Sequence, residues 1–300
     1  MSIRQLEVLA CMGEEASITA AAARLHLTQP AVSMQLRQLE DTLELKLFEH
    51  VGRRLQITEA GERLARMADE ILSRIDDFEQ SSLAIRGVRS GRVRLGVVST
   101  SKYFVPALLA MFVRAHPGVE LRLTVHNREA IIEQLRTFKV DLGVMGRPPA
   151  DNAFDGQVFA PNPLAIVAST HHPLTLRRRL SPEVLSDEPI LIREPGSGTR
   201  AAMERFFAER GLSINPVMEA DSNETIKQAV MAGMGIGFLS LHTVRAELAA
   251  GRIALLDIEG LPLRRQWYVV TMRSRRLSPA AEEFRGFLLA EAEGLMRSLA

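Results

Sequence analysis

Cysteine is almost missing: Cys11 is the only one in 300 residues. No disulfide can therefore close within the chain, and no cysteine-rich zinc site can form. Its neighbours Leu6, Leu9 and Met12 mark it as a buried thiol. No run of about 18 apolar residues occurs, so a membrane-spanning helix is not expected. The N-terminus has no basic region followed by an apolar stretch, as a secretory signal would, and the expected location is the cytoplasm.

An excess of positive charge is missing as well. The formal net charge is +1. Within residues 1–58 the bases Arg4, Arg24, Arg37, Lys46, Arg53 and Arg54 face the acids Glu7, Glu14, Glu15, Glu40, Asp41, Glu44 and Glu49. The bulk electrostatic footprint of a nucleic-acid-binding domain is absent, so any such role rests on where particular residues sit. Catalytic signatures are also lacking. Gly196-Ser197-Gly198 is not the Gly-x-Ser-x-Gly of a nucleophile elbow. Gly233-Met-Gly235-Ile-Gly237 lacks dinucleotide-binding spacing and precedes a strand instead of following one. His171-His172-Pro173 resembles a turn with no carboxylates at metal-ligand spacing. An enzyme is not expected, and no metal or cofactor is called for.

What is present begins with length, which favours two or three compact units. A first helix carries Leu6, Leu9, Ala10 and Met12 and is expected to end near Gly13. Ser17 can cap a second helix over 18–25, whose alanines at 20–23 let another helix approach closely. Thr28 is a good cap for a third helix with Pro30 in its first turn, where the missing amide hydrogen costs little. In that helix Val32, Leu36, Leu39 and Leu43 recur at helical spacing and face inward. The opposite face carries Gln29, Ser33, Met34, Gln35, Arg37 and Gln38, and is nearly free of acids until Glu40. Such a face suits insertion between the phosphate walls of a major groove. Residues 51–57 alternate apolar and polar behind Gly52, the pattern of a small β wing with Arg53 and Arg54 at its tip. As an isolated pair these would be ordinary surface arginines; after this helix pair they are placed to reach phosphates or a minor groove.

Thr58 then caps a long helix. Leu64, Ala68, Ile71, Ile75, Phe78, Ser82 and Ile85 alternate steps of four and three, an a/d seam that needs a partner. The seam either packs on its own domain or, as the charged flanks favour, makes a two-helix dimer contact. Residues 87–91 are small and polar and read as a hinge. From Arg92 onward short apolar strands alternate with helices in βαβαβ order, which implies a parallel sheet. A second such unit follows over about 163–266, then a strand at 267–272 and a last helix. Two lobes joined by two crossovers would enclose a cleft.

The stretch Ser17-Ile-Thr-Ala-Ala-Ala-Ala-Arg-Leu-His-Leu-Thr-Gln-Pro-Ala-Val-Ser-Met-Gln-Leu-Arg-Gln-Leu-Glu40, with Leu47-Phe-Glu49 and Leu55-Gln-Ile-Thr-Glu-Ala-Gly61, resembles the LysR-type transcriptional regulators. Within that family, Asp141-Leu-Gly-Val-Met-Gly-Arg-Pro-Pro149, Phe159-Ala-Pro-Asn-Pro-Leu164, Arg193-Glu-Pro-Gly-Ser-Gly-Thr-Arg200, Met203-Glu-Arg-Phe-Phe207 and the segment 223–233 resemble regulators of Calvin-cycle (RuBisCO) operons. The resemblance implies an N-terminal all-α winged helix-turn-helix over 1–58 and a linker/dimerisation helix over 59–88. A hinge at 89–91 would then lead to a C-terminal α/β two-lobed periplasmic-binding-protein-like domain. Lobe I would take 92–161 and 268–300, and lobe II 162–267. It further implies a homodimer assembled into a homotetramer, near-palindromic promoter DNA and RNA polymerase as partners, and a small effector. A transporter's solute-binding protein shares the two-lobe pattern, but residues 1–90 speak against it.

The expected DNA contacts are Gln29, Pro30, Ser33, Met34, Arg37, Arg53 and Arg54, and the expected dimer contacts Leu64, Ile71, Ile75, Phe78 and Ile85. For the effector, hydroxyls and free amides converge where Ser99, Thr100 and Ser101 lie between a strand and a helix, a geometry that binds anions. Met145, Gly146 and Arg147 end another strand; Arg193, Ser197, Gly198, Thr199 and Arg200 precede a helix; Asn223 opens a further one. Gly196–198 would otherwise be only a tight turn, and Arg147 a surface arginine. The arginine fork matches carboxylate or phosphate, so an anionic metabolite is expected. The resemblance adds a sugar phosphate, phosphoenolpyruvate or NADPH as candidates.

Overall fold

The computed structural model describes all residues except 16, 53, 86–90, 299 and 300; of the side chains of 54, 83–85 and 298 nothing is described. The chain divides into two compact units, Met1–Gly87 with Arg136–Lys139, and Val88–Leu135 with Val140–Ala300.

In the first unit, helices α1 (Ile3–Glu15), α2 (Ile18–Arg24) and α3 (Gln29–Leu43) precede strands β1 (Phe48–Val51) and β2 (Arg54–Ile57) and the long helix α4 (Glu59–Ile85). The starts of α2, α3 and α4 are set by hydroxyls: Ser17, Thr28 and Thr58 accept from the amides of Ala20, Ala31 and Gly61 at 3.3, 3.3 and 3.0 Å. Helix α1 passes through Gly13 instead of ending there. At that point Gly13 lets α4 come close, since an added Cβ would meet Ala65 at 2.8 Å. Gly61 is equally committed, because a side chain there would strike the Leu47 carbonyl. Leu6, Leu9, Met12, Ala21, Val32, Leu36, Leu39 and Leu47 form the core, with Ala65 and Ala68 of α4 closing it.

In the second unit, lobe I is built from β3 (Gly91–Val98), α5 (Val105–Ala115), β4 (Val119–His126), α6 (Arg128–Arg136), β5 (Leu142–Met145) and β6 (Phe154–Pro161). The chain crosses to lobe II, formed by β7 (Leu164–Ser169), β8 (Pro189–Arg193), α7 (Gly198–Ala208), β9 (Asn215–Ala220), α8 (Asn223–Met231), β10 (Ile236–Ser240), α9 (Leu241–Ala249) and β11 (Ile253–Leu255). It then returns to lobe I through β12 (Gln266–Met272) and α10 (Pro279–Ser298). The sheets run β4-β3-β5-β12-β6 and β11-β7-β10-β8-β9.

Neither sheet is the purely parallel one that the alternation predicts. Strands β3, β4 and β5 are parallel, but β12 enters between β5 and β6 antiparallel to both, because it comes back from the other lobe. In lobe II β8 is parallel to β9 and β10, while β10 is antiparallel to β7. Strands β6, β9 and β11 carry no clear apolar alternation. Strand β9 lies at a sheet edge, the position where Pro216 is tolerated in a strand. The expected hinge lies largely outside the described residues, and Gly91 already belongs to β3.

Candidate functional site

Two places gather the expected functional residues. On α3, Gln29, Pro30 and Arg37 are exposed, Met34 is 50% exposed, and Ser33 is half-buried. They share the face opposite Val32, Leu36 and Leu39. Arg37 makes no ion pair among the described residues. Glu40, the first acid along α3, does not belong to that face: its carboxylate accepts from the amides of Leu47 and Phe48 at 2.8 and 3.2 Å and pairs with Lys46 at 3.2 Å. Burial opposes its charge, yet those two amides and Lys46 hold the carboxyl below the ordinary glutamate range. Glu40 thereby fixes how the chain leaves α3 for the wing. Arg53 lies outside the described residues. Arg54 opens β2 opposite Val51, and its side chain is likewise outside them.

The seam on α4 divides. Leu64, half-buried, packs on the core of its own unit beside the buried Ala68. Met67, Ile71 and Phe78 stand exposed, Phe78 at 75%, with Ile75 half-buried beside them. Spacings of four and seven place Met67, Ile71 and Phe78 along one stripe. The Ile85 side chain lies outside the described residues.

In the second unit a narrow cleft, partly open to solvent, lies between the lobes. Ser99 and Thr100 after β3, Gly146 and Arg147 after β5, and Ser197, Gly198 and Thr199 at the start of α7 line it. Ser197 caps α7 by accepting from the Arg200 amide at 3.4 Å, so this helix start is presented to the cavity.

Five expected effector residues belong elsewhere. Arg193 is buried and spends its guanidinium on the protein. It pairs with both oxygens of Glu194 at 2.8 and 3.0 Å, donates to Ser99 Oγ at 3.1 Å and to the Asp221 carbonyl at 3.0 Å, and bonds Asn223 Oδ1. Each of its three nitrogens is thus engaged by the protein. Asn223 is the other half of this clasp and is 1% exposed. Arg200 points away, with Nε on Glu204 at 2.8 Å and Nη1 on Glu219 at 2.6 Å and on the Arg193 carbonyl at 2.9 Å. Ser101 is buried and donates to the Val98 carbonyl at 2.8 Å. Met145 is buried in the lobe I core.

In their place the fold brings residues that no local motif announced: Asn127 and Arg128 at the start of α6, Asn162 and Arg265 on the two crossovers, and Trp267 in β12. Arg265 bonds both lobes at once, Nη2 to the Gly146 carbonyl at 3.0 Å and Nη1 to the Gly198 carbonyl at 3.1 Å. Burial, then the charges of Arg205, Arg147 and Arg128, push its pKa down to about 10, so it stays protonated at neutral pH. Arg128 donates to the Arg147 carbonyl at 3.0 Å, and burial and Arg147 push its pKa down too. Three cations crowded against one cavity repel one another, and an anion between them relieves that repulsion. Glu194, the acid on the wall, is neutralised by Arg193. Among the described residues no group of three or more His, Cys, Asp or Glu side chains is placed to hold a metal ion, and no helix is long and apolar enough to cross a membrane.

The RuBisCO operon transcriptional regulator of Allochromatium vinosum is 46% identical over 292 residues, covering 97% of this chain and 97% of that one. The HTH-type transcriptional regulator CfxR of Cupriavidus necator is 46% identical over 289 residues, 96% of this chain and 91% of that one. The regulatory domain of CcmR from Synechocystis PCC6803, solved in complex with 2-PG, is 38% identical with a TM-score of 0.65, covering 67% of this chain and 97% of that one. Residues 3–62 match the bacterial regulatory helix-turn-helix proteins of the lysR family, and residues 86–293 match the LysR substrate binding domain. With a capped helix-turn-helix and wing in one unit and a two-lobed domain around a cationic cavity in the other, the chain belongs to the LysR family of bacterial helix-turn-helix regulators.

Proposed function

We propose that this protein is a transcription regulator of carbon-fixation genes that responds to a small anionic metabolite. The observation that carries this is the convergence of Arg128, Arg147 and Arg265 on a cavity between two lobes, in a chain whose other unit offers an acid-poor helix face. The likeness to regulators of RuBisCO operons supports the choice of target, and the 2-PG bound in the CcmR regulatory domain supports the ligand class. Phosphoenolpyruvate, sugar phosphates and NADPH share the required charge.

Gln29, Pro30, Ser33 and Met34 meet base edges, while Arg37 and the wing arginines Arg53 and Arg54 meet phosphates. The Gln29 amide offers a donor and an acceptor together and pairs bidentately with adenine. The exposed stripe of α4, Met67, Ile71 and Phe78, pairs two chains, so two recognition helices meet a near-palindrome about 34 to 36 Å apart. Two dimers form a homotetramer, and RNA polymerase is the partner at the promoter. The site needs no chemistry. Effector binding favours one lobe arrangement by its differential affinity and so biases how the protein holds DNA. The protein acts in the cytoplasm.

The test is a footprint on promoter DNA of a RuBisCO operon, with and without 2-PG, phosphoenolpyruvate or NADPH. One of these anions is expected to shift the footprint of the natural protein. Arg265→Gln should leave DNA affinity in place and weaken the anion response about tenfold to a hundredfold, as expected for loss of a charge from the cavity wall. An Arg265→Gln protein that responds as the natural one does would remove the cavity from the mechanism.

A further inference from the structure

The two crossovers each contribute one side chain to the cavity wall, Asn162 on the way out and Arg265 on the way back. They are tied together, the Asn162 amide donating to the Arg265 carbonyl at 2.7 Å. Asn162 is buried, 3% exposed. Its orientation is fixed from behind: the Ser240 hydroxyl accepts from the His242 amide at 3.3 Å and donates to Asn162 Oδ1 at 2.8 Å. The opposite end, Nδ2, lies beside Gly146, where an added Cβ would come within 2.9 Å of it. Nδ2 has no hydrogen-bond partner among the described residues, and neither has the buried indole Nε1 of Trp267, whose ring lines the same cavity.

Neutral donors add little to holding a charged group that three guanidinium ions already face. Their value lies in discrimination. A site built to bond an oxygen rejects a ligand without it, because the buried donors are then left unpaired.

We propose that Asn162, with Trp267 beside it, determines specificity: the cavity takes a small organic anion that carries, besides its charged group, a second oxygen that accepts from the Asn162 amide. This rests on the anion-binding role proposed above. Because the amide and the Arg265 guanidinium stand on the two crossovers, a ligand bonded to both spans the two connections between the lobes.

The full chain is titrated calorimetrically with inorganic phosphate, 2-PG and phosphoenolpyruvate, and the emission of Trp267, the single tryptophan of the sequence, is followed in parallel. At least one of the two organic anions should bind the natural protein at least tenfold more tightly than phosphate and alter that emission. Asn162→Ala should lower this preference about tenfold while leaving phosphate affinity in place. Gly146→Ala, which pushes a methyl against Nδ2 and keeps Asn162 intact, should lower the same preference, and it decides the matter if Asn162→Ala fails to fold. An unchanged preference in a folded Asn162→Ala or Gly146→Ala protein overturns the role of Asn162 and leaves the anion site standing. Phosphate binding as tightly as both organic anions does the same. No binding of any of the three to the natural protein overturns the anion site and this inference together.

Discussion

On α3 the side chains proposed to meet DNA, Gln29, Pro30, Ser33, Met34 and Arg37, lie within nine positions of one helix, exposed apart from the half-buried Ser33. The cavity of the other unit draws Arg128 from the start of α6, Arg147 from the turn after β5, Ser197 to Thr199 from the start of α7, and Asn162 and Arg265 from the crossovers. A surface that reads a repeating polymer needs only a regular helix with one face left polar. A pocket for a small anion needs donors converging from several directions, and these are held by bonding to the backbone, as Arg265 is to Gly146 and Gly198. The price is that arginines near the pocket divide into those that hold it up and those left for the ligand.

The largest effect that would break or sharpen this contrast is expected at Arg193→Ala. Removing a buried cation strands Glu194 and opens the clasp with Asn223 and Ser99, at a cost of about 3–5 kcal/mol. Urea unfolding should show the loss in the transition of the second unit alone. If stability were unchanged and only anion affinity fell, Arg193 would belong to the ligand and the division between supporting and binding arginines would fail. Next comes Gln29→Ala, expected to erase about 1–3 kcal/mol of base discrimination in a competition assay, with the unfolding midpoint unmoved. Sequence preference surviving that change would mean that α3 meets DNA in another orientation. The smallest effect is expected at Arg200→Ala, about 0.2–1 kcal/mol for a partly exposed pair with Glu204 and Glu219, with anion affinity as in the natural protein. Loss of anion binding in that variant would return Arg200 to the cavity.

The same contrast explains what the sequence makes legible. Helix caps, the inward run Val32, Leu36 and Leu39, and the polar face opposite are all local, so α3 can be read from its own residues. The cavity is legible only where a strand end or helix start announces it, as at Ser99, Gly146 and Ser197 to Thr199. Arg265 follows Arg264 in an ordinary-looking connection, and Asn162 stands between two prolines. Only the return of β12 into lobe I brings both to the wall. Arg193 and Arg200 fail for the converse reason. Arginines flanking a glycine turn before a helix look like anion ligands; Glu194 and Glu204 stand beside them in the sequence, but Asn223 and Glu219, which complete their engagement, come from distant elements. On α4 the heptad steps are visible, but two demands are superposed on one helix, with Leu64 and Ala68 serving their own core and Ile71 and Phe78 facing out.

The passage of β12 into the middle of the first lobe's sheet also sets an order of events at the ribosome. The helix-turn-helix and its core are complete once the first turns of α4 have emerged, and β7 to β11 form a contiguous stretch. Lobe I, in contrast, lacks a central strand until Gln266–Met272 has been made, roughly 200 residues after the wing. At about 5–20 residues per second this is a delay of about 10–40 seconds. During it the nascent chain owns a folded DNA-binding head but no receptor. A message truncated before β12 would therefore leave a head without its ear, which is a different failure from a missing regulator.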